Sequence, residues 1–168
     1  MTYKGVFYEK IITLALCALP CVAFADNAKP DLEPILIKQQ TVSALPKELY
    51  EGWWLTYDVD DYESYALRFY LKNGEVHGEH HAFDCLGDTS EPEHRSMFKL
   101  VPTAKKGFDL RFDNSDFRSY MNFSAMLPKK FVMANQSYAD KELAGYAPKG
   151  INWIYLYSET PTPYCPKS

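Results

Sequence analysis

Residues 65–82 read YALRFYLKNGEVHGEHHA, and Asn73-Gly74 stands at the centre. A two-residue hairpin turn needs positive φ at both positions, which Asn-Gly tolerates better than other pairs. The turn fixes the register. Lys72 faces Glu75, Leu71 faces Val76, Tyr70 faces His77 and Phe69 faces Gly78. Arg68 then faces Glu79, Leu67 faces His80, Ala66 faces His81 and Tyr65 faces Ala82. Side chains alternate across a strand, so these pairs sort into two faces. One holds Tyr65, Leu67, Phe69, Leu71, Val76, Gly78, His80 and Ala82. The other carries the opposite-charge pairs Lys72–Glu75 and Arg68–Glu79, which favour each other across strands. The first face is predicted to line a core and the second to meet water.

The same alternation recurs on both sides of this hairpin. Phe108, Leu110 and Phe112 alternate with Asp109, Arg111 and Asp113; Met121, Phe123, Ala125 and Leu127 alternate with Tyr120, Asn122, Ser124 and Met126. Strands are predicted at 52–58, 64–72, 75–83, 96–102, 107–113, 119–127, 130–136 and 151–158, with turn residues between them. Short one-sided strands in sequence order indicate an all-β protein. The expected form is an antiparallel up-and-down meander of about eight short strands closing into a small barrel, which also removes exposed edges. A two-sheet sandwich is the alternative. One short helix is expected before the last strand, over 137–145, with Ser137 as cap and Gly145 as stop.

Ahead of the body, residues 26–50 form an extended arm with Pro30, Pro34 and the apolar patch Ile35-Leu36-Ile37, and Leu45 to Tyr50 fits one helical turn. The body spans 51–168 and ends in a tail with Pro161, Pro163 and Pro166. Residues 1–25 read as a signal peptide: Lys4 and Lys10, an apolar run from Ile11 to Phe24, and Ala23-Phe24-Ala25 before Asp26. The run is shorter than the roughly 20 residues a membrane span needs. Leu16 and Pro20 precede Cys17 and Cys21, whereas a lipid-acceptor cysteine wants a small residue there. The chain is therefore expected in the periplasm, or secreted, and not membrane-spanning after cleavage. Only Cys85 and Cys165 remain beyond residue 25. In an oxidising compartment they are expected to pair; two free buried thiols or a metal pair are the alternatives. Beyond residue 25 there are 16 Lys and Arg against 21 Asp and Glu. That acidic balance argues against nucleic acid as a partner.

Gly52-Trp53-Trp54, at the start of the first strand and just after a short helical turn, resembles the Gly-x-Trp opening of lipocalins and related calycin barrels. The resemblance implies that Trp54 closes one end of the barrel, that a disulfide reaches the C-terminal tail, and that a small apolar ligand is carried inside. The chain departs from that family in placing its helix before the last strand, and in lacking an Arg on that strand to stack on the Trp.

Four groups of residues are candidates for function. Trp54, Tyr65, Phe69 and His80 would contact a ligand in the barrel; His80 sits between the small residues Gly78 and Ala82, and the simpler reading hydrogen-bonds it to Tyr65. Asp58, Asp60, Asp61 and Glu63 crowd the first turn, and with Asp88, Glu91 and Glu93 they would form an acidic rim for a cationic protein surface. His77, Glu79 and His81 alternate on one strand and could offer metal ligands. Neighbours at i and i+2 stand nearly 7 Å apart, which is wide for a single ion. Cys85 and Cys165 are assigned to the disulfide. No catalytic or cofactor motif is recognisable. The leading expectation is an exported, non-enzymatic inhibitor or immunity-type protein without a cofactor. It would bind another exported protein through its acidic loops, because eight short strands make a narrow barrel that aromatic side chains would fill. The alternative is a lipocalin-like carrier. A cavity of a few hundred Å³ inside the barrel would favour the carrier.

Overall fold

A computed structural model describes residues 33–166 of the chain. The signal peptide reading and the first residues of the arm lie outside the described residues. The strands are β1 (Ile35–Leu36), β2 (Trp53–Asp58), β3 (Glu63–Lys72), β4 (Glu75–Asp84), β5 (His94–Pro102), β6 (Phe108–Phe112), β7 (Arg118–Leu127), β8 (Phe131–Tyr138) and β9 (Ile151–Ser158). From β2 to β9 each strand pairs antiparallel with the next, and β9 pairs back onto β2. The result is a closed eight-stranded up-and-down barrel, with β1 outside the ring. One short helix, α1 (Lys141–Tyr146), precedes the last strand. A barrel of this kind is compatible with a lipocalin-like one.

The β3–β4 hairpin has the register that Asn73-Gly74 dictates, from Lys72↔Glu75 to Tyr65↔Ala82. Both turn residues have positive φ, 54° and 79°. Of the inner face, Leu67, Phe69, Val76 and Ala82 are buried, whereas Leu71, beside the turn, is 52% exposed. The expected ion pairs do not form. Glu75 meets Lys99 of β5 at 2.7 Å instead of Lys72, and the Arg68 guanidinium lies 5.9 Å from the Trp53 ring. A barrel gives each outward charge two neighbouring strands to choose from, and a hairpin alone shows only one.

Phe69, Phe98, Phe108 and Phe123 interlock edge to face inside the barrel. Gly78 makes room for this: a Cβ there would strike the Phe98 ring and lie 2.5 Å from the Arg68 carbonyl. The base is closed by the segment before β2. Its 3-10 turn, Lys47–Tyr50, inserts the fully buried Leu49. The Trp54 indole, also fully buried, donates from Nε1 to the Leu49 carbonyl at 2.9 Å. Gly52, at φ 64°, brings the chain so close to Ser158 that a Cβ would lie 2.6 Å from its carbonyl oxygen.

The arm docks on its own barrel. β6 pairs only with the first part of β7, and β1 takes up the later part, with Ile35 opposite Met126. Past β1, Gln40 donates to the Phe123 carbonyl at 2.7 Å and accepts from the Phe123 N–H at 2.9 Å, acting as a rung of sheet.

Four local expectations need correction. Ser124 is an extra residue in β7, between Phe123↔Ala134 and Ala125↔Met133. A bulge inverts the alternation beyond it, so Met126 is buried in the core while Ala125 and Leu127 are only half-buried. Second, β8 runs through Ser137, and the helix is capped instead by Asp140, whose carboxylate accepts from the backbone of Glu142 and Leu143. Gly145 lies within α1, and Ala147 ends it. Third, Asp109 points outward yet is 2% exposed, covered by Arg111 and Arg118. Burial works to raise its carboxyl, but the hydrogen bonds and charges of Arg118 and Arg111 prevail and hold it below the usual range.

The fourth concerns the outer face of the hairpin, which is not wet throughout. Trp53, Leu55, Ala66 and Phe83 form a second buried cluster outside the barrel. The C-terminal tail crosses it. It leaves β9 at Ser158, which pairs with Trp53. Further along, the Tyr164 N–H donates to the Ser64 hydroxyl at 2.7 Å, and Cys165 bonds to Cys85. The expected disulfide is therefore present, with a span of 80 residues.

Candidate functional site

The two halves of the barrel differ. Around the base the inward residues are large and apolar. Toward the other end they become mixed: Tyr65 and Leu67 from β3, His80 from β4, Ser96 from β5, Phe112 from β6, Gln136 and Tyr138 from β8, Trp153 and Tyr155 from β9. These line a cup of about 570 Å³. The expected filling by aromatic side chains holds only for the closed half. Two facts of sequence thin the upper half: Ala82 is small, and Ser96 and Ser119 stand at inward positions where the next layer down their strands carries Phe98 and Met121.

The aromatic wall is built by strand pairing. Trp153 and Tyr155 alternate on β9 and so face the same way. The Tyr65 ring meets Trp153 nearly at right angles, with centroids 6.4 Å apart, and lies 5.4 Å from the His80 ring. One buried polar group in this wall lacks a partner among the described residues. Trp153 Nε1 is buried without an acceptor. Tyr155 is 4% exposed and lines the cup. Burial pushes the Tyr155 hydroxyl well up, with a further contribution from Tyr138, so it stays protonated.

His80 Nδ1 lies 3.3 Å from the Ser96 hydroxyl, its neighbour across the strands. The partner expected from sequence was Tyr65. That hydroxyl donates instead to Glu63 at 2.6 Å. Burial, followed by the charges of His94 and His81, pushes the His80 imidazole down to about 4. It is neutral at physiological pH, and so weak a base suits hydrogen bonding better than proton abstraction from Ser96.

The acidic residues separate. Asp58, Asp61 and Glu63 stand at the mouth of the cup, with His94 and Arg95 across from them. Asp58 pairs directly with Glu63, and Glu63 with Asp84, so three carboxylates sit in register on adjacent strands. Asp60 lies in the β2–β3 turn, where its N–H donates to Asp58. In the loop after Cys85, Asp88 accepts from the Ser90 N–H, which lowers its carboxyl, and Glu91 pairs with Arg95 at 2.6 Å. Neither Asp88, Glu91 nor Glu93 lines the cup.

Of the ligand residues expected from sequence, Tyr65 and His80 reach the cup, while Trp54 and Phe69 are fully buried in the closed half. His77, Glu79 and His81 do not converge: among the described residues no three His, Cys, Asp or Glu side chains do. His77 stacks on Tyr70 and approaches Glu75, and His81 leans on Trp53. Trp153, Tyr155 and Tyr138 were missed. For Trp153 and Tyr155 the signal was the alternate spacing Trp153, Tyr155, Tyr157 in the last strand; Tyr138, at the end of β8, had none of this kind. Among the described residues no helix is long and apolar enough to cross a membrane. Compared with known protein families, curated proteins and solved structures, the chain matches none.

Proposed function

We propose that the mature chain is an exported, non-enzymatic binding protein that holds a small organic ligand in the open half of its barrel. The observation that carries the reading is the cup of about 570 Å³. Pockets for small ligands run roughly 300–1,000 Å³, mostly apolar with a few convergent polar groups. The aromatic wall, with His80, Ser96 and Gln136 among it, matches that description. Recognition of a protein through acidic loops drew its force from a filled barrel, and that premise fails for the upper half. The lipocalin-like features, Gly52-Trp53-Trp54 at the base and a tail tethered by Cys165, belong with a carrier. Export to an oxidising space such as the periplasm accords with the leader sequence and the disulfide.

Native mass spectrometry of the mature protein, recovered gently from its own compartment, tests this. The expected result is a bound organic mass of a few hundred daltons, absent from a Ser96→Phe variant whose new ring fills the cup. A bare protein that also binds no small probe would overturn the reading. Recovery in complex with another protein that shields Asp58, Asp61 and Glu63 would replace it with the acidic-rim reading.

A further inference from the structure

We propose that the ligand of the cup is an organic cation, an amine or quaternary ammonium on an apolar body. Its charge would lie at the mouth beside Asp58, Asp61 and Glu63, and its body against the aromatic wall. The inference rests on the small-ligand reading and adds its chemical class.

The first observation is an uncompensated row of charge. Like charges directly opposite on neighbouring strands repel, yet Asp58 faces Glu63 and Glu63 faces Asp84. Among the described residues none of these, nor Asp61, has an ion-pair partner, while Arg95, the lining's one Lys or Arg, is committed to Glu91. A bound cation would relieve the repulsion. The negative field also reaches inward. The Tyr65 hydroxyl is pushed up first by burial, then by its bond to Glu63 and by the charges of Glu63, Asp58 and Asp61. For Tyr138, burial again leads and Asp58 and Asp61 add to it. An anion entering the cup would meet the same field with the opposite sign.

The second observation is the wall below that row. The Tyr65 and Trp153 rings stand nearly at right angles, and both line the cup. Ring faces attract cations, ammonium groups above all. The third is Trp153 Nε1, buried in the same wall without a partner among the described residues, next to Tyr155, which is 4% exposed and lines the cup. The indole N–H can donate, so the apolar body should carry a hydrogen-bond acceptor. His80, uncharged, adds no opposing charge.

Three naphthalene probes of matched size separate the outcomes: a trimethylammonium, a neutral alcohol and a sulfonate. Each is titrated into the full mature chain by calorimetry and tryptophan fluorescence at low and high salt. The expected result is an advantage of about tenfold or more for the cation over the alcohol at low salt, shrinking as salt screens the mouth. The triple variant Asp58→Asn, Asp61→Asn, Glu63→Gln should lose that advantage and keep its affinity for the alcohol. Removing like charges relieves repulsion, so the variant should melt no lower than the parent. The amide oxygen that replaces the Glu63 carboxylate can still accept from the Tyr65 hydroxyl. Equal binding of cation and alcohol, or tighter binding of the sulfonate, overturns the cation assignment and leaves the cup as a ligand site. Binding of none of the three by a chain that also carries no native ligand overturns both.

Discussion

Removing the disulfide should do two separable things. Cys85→Ser with Cys165→Ser opens a link spanning 80 residues. Loop-closure entropy puts the resulting loss of stability at about 4 kcal/mol. For a body of this size that corresponds to a fall in Tm on the order of 10–20 °C. The second effect is local. The tail crosses the outer cluster of Trp53, Leu55, Ala66 and Phe83, and among the described residues it also holds the barrel wall through the Tyr164 N–H on Ser64. Without the covalent bond, hydrogen exchange should accelerate in β2, β3 and the end of β4 before it does in β6–β8. Urea denaturation of the oxidised parent and the double variant gives the first quantity, and exchange read by mass spectrometry gives the second. A deletion of residues 159–168 should cost at least as much as the double variant, because it also removes the cover. The reasoning is refuted if the double variant melts within a degree or two of the parent, or if exchange rises evenly around the barrel.

Three further outcomes are expected. His80 has a folded value of about 4 against roughly 6.5 when unfolded. Its contribution is intact above pH 6.5 and is lost as the pH falls toward 4, because only the unfolded chain takes up the proton. Between pH 7.5 and 4.5 the parent should lose roughly 2–3 kcal/mol more than a His80→Gln variant in paired urea titrations; equal losses would contradict the assigned burial. Trp54→Phe removes the donor to the Leu49 carbonyl and part of the plug, and should destabilise by about 2–4 kcal/mol in the same assay. Gly78→Ala drives a methyl group into the Phe98 ring and should cost about 1–3 kcal/mol. A neutral result would mean that the phenylalanine layer yields more easily than its packing implies.

The hairpin was legible in the sequence because a two-residue turn fixes register and strict alternation fixes the faces. The eight strands were legible for the same reason, since turns bounded every one of them. What escaped was set by neighbours far along the chain. The bulge at Ser124 leaves no mark in the local pattern, and it moved Met126 to the inside. Asp109 reads as a wet residue until Arg118 of the next strand closes over it. Ala66 and Phe83 read as solvent-facing until the tail, 80 residues away at its anchor, lies across them. The cup escaped because its volume depends on how eight inward rows meet at one height. Part of its lining, Tyr65 and His80 among it, was visible in the hairpin, and much of the rest lay on β5, β6, β8 and β9.

The unequal halves of the barrel divide two duties between different residues. Trp54, Leu49 and the phenylalanine layer hold the fold together, whereas Ser96, Gln136 and Trp153 border open space. An exchange of side chain at the mouth therefore disturbs little of what keeps the chain folded. Such a scaffold can change its repertoire quickly: descendants can drift in what they hold while the base stays fixed, and a designer can rewrite the upper layers without rebuilding the lower ones.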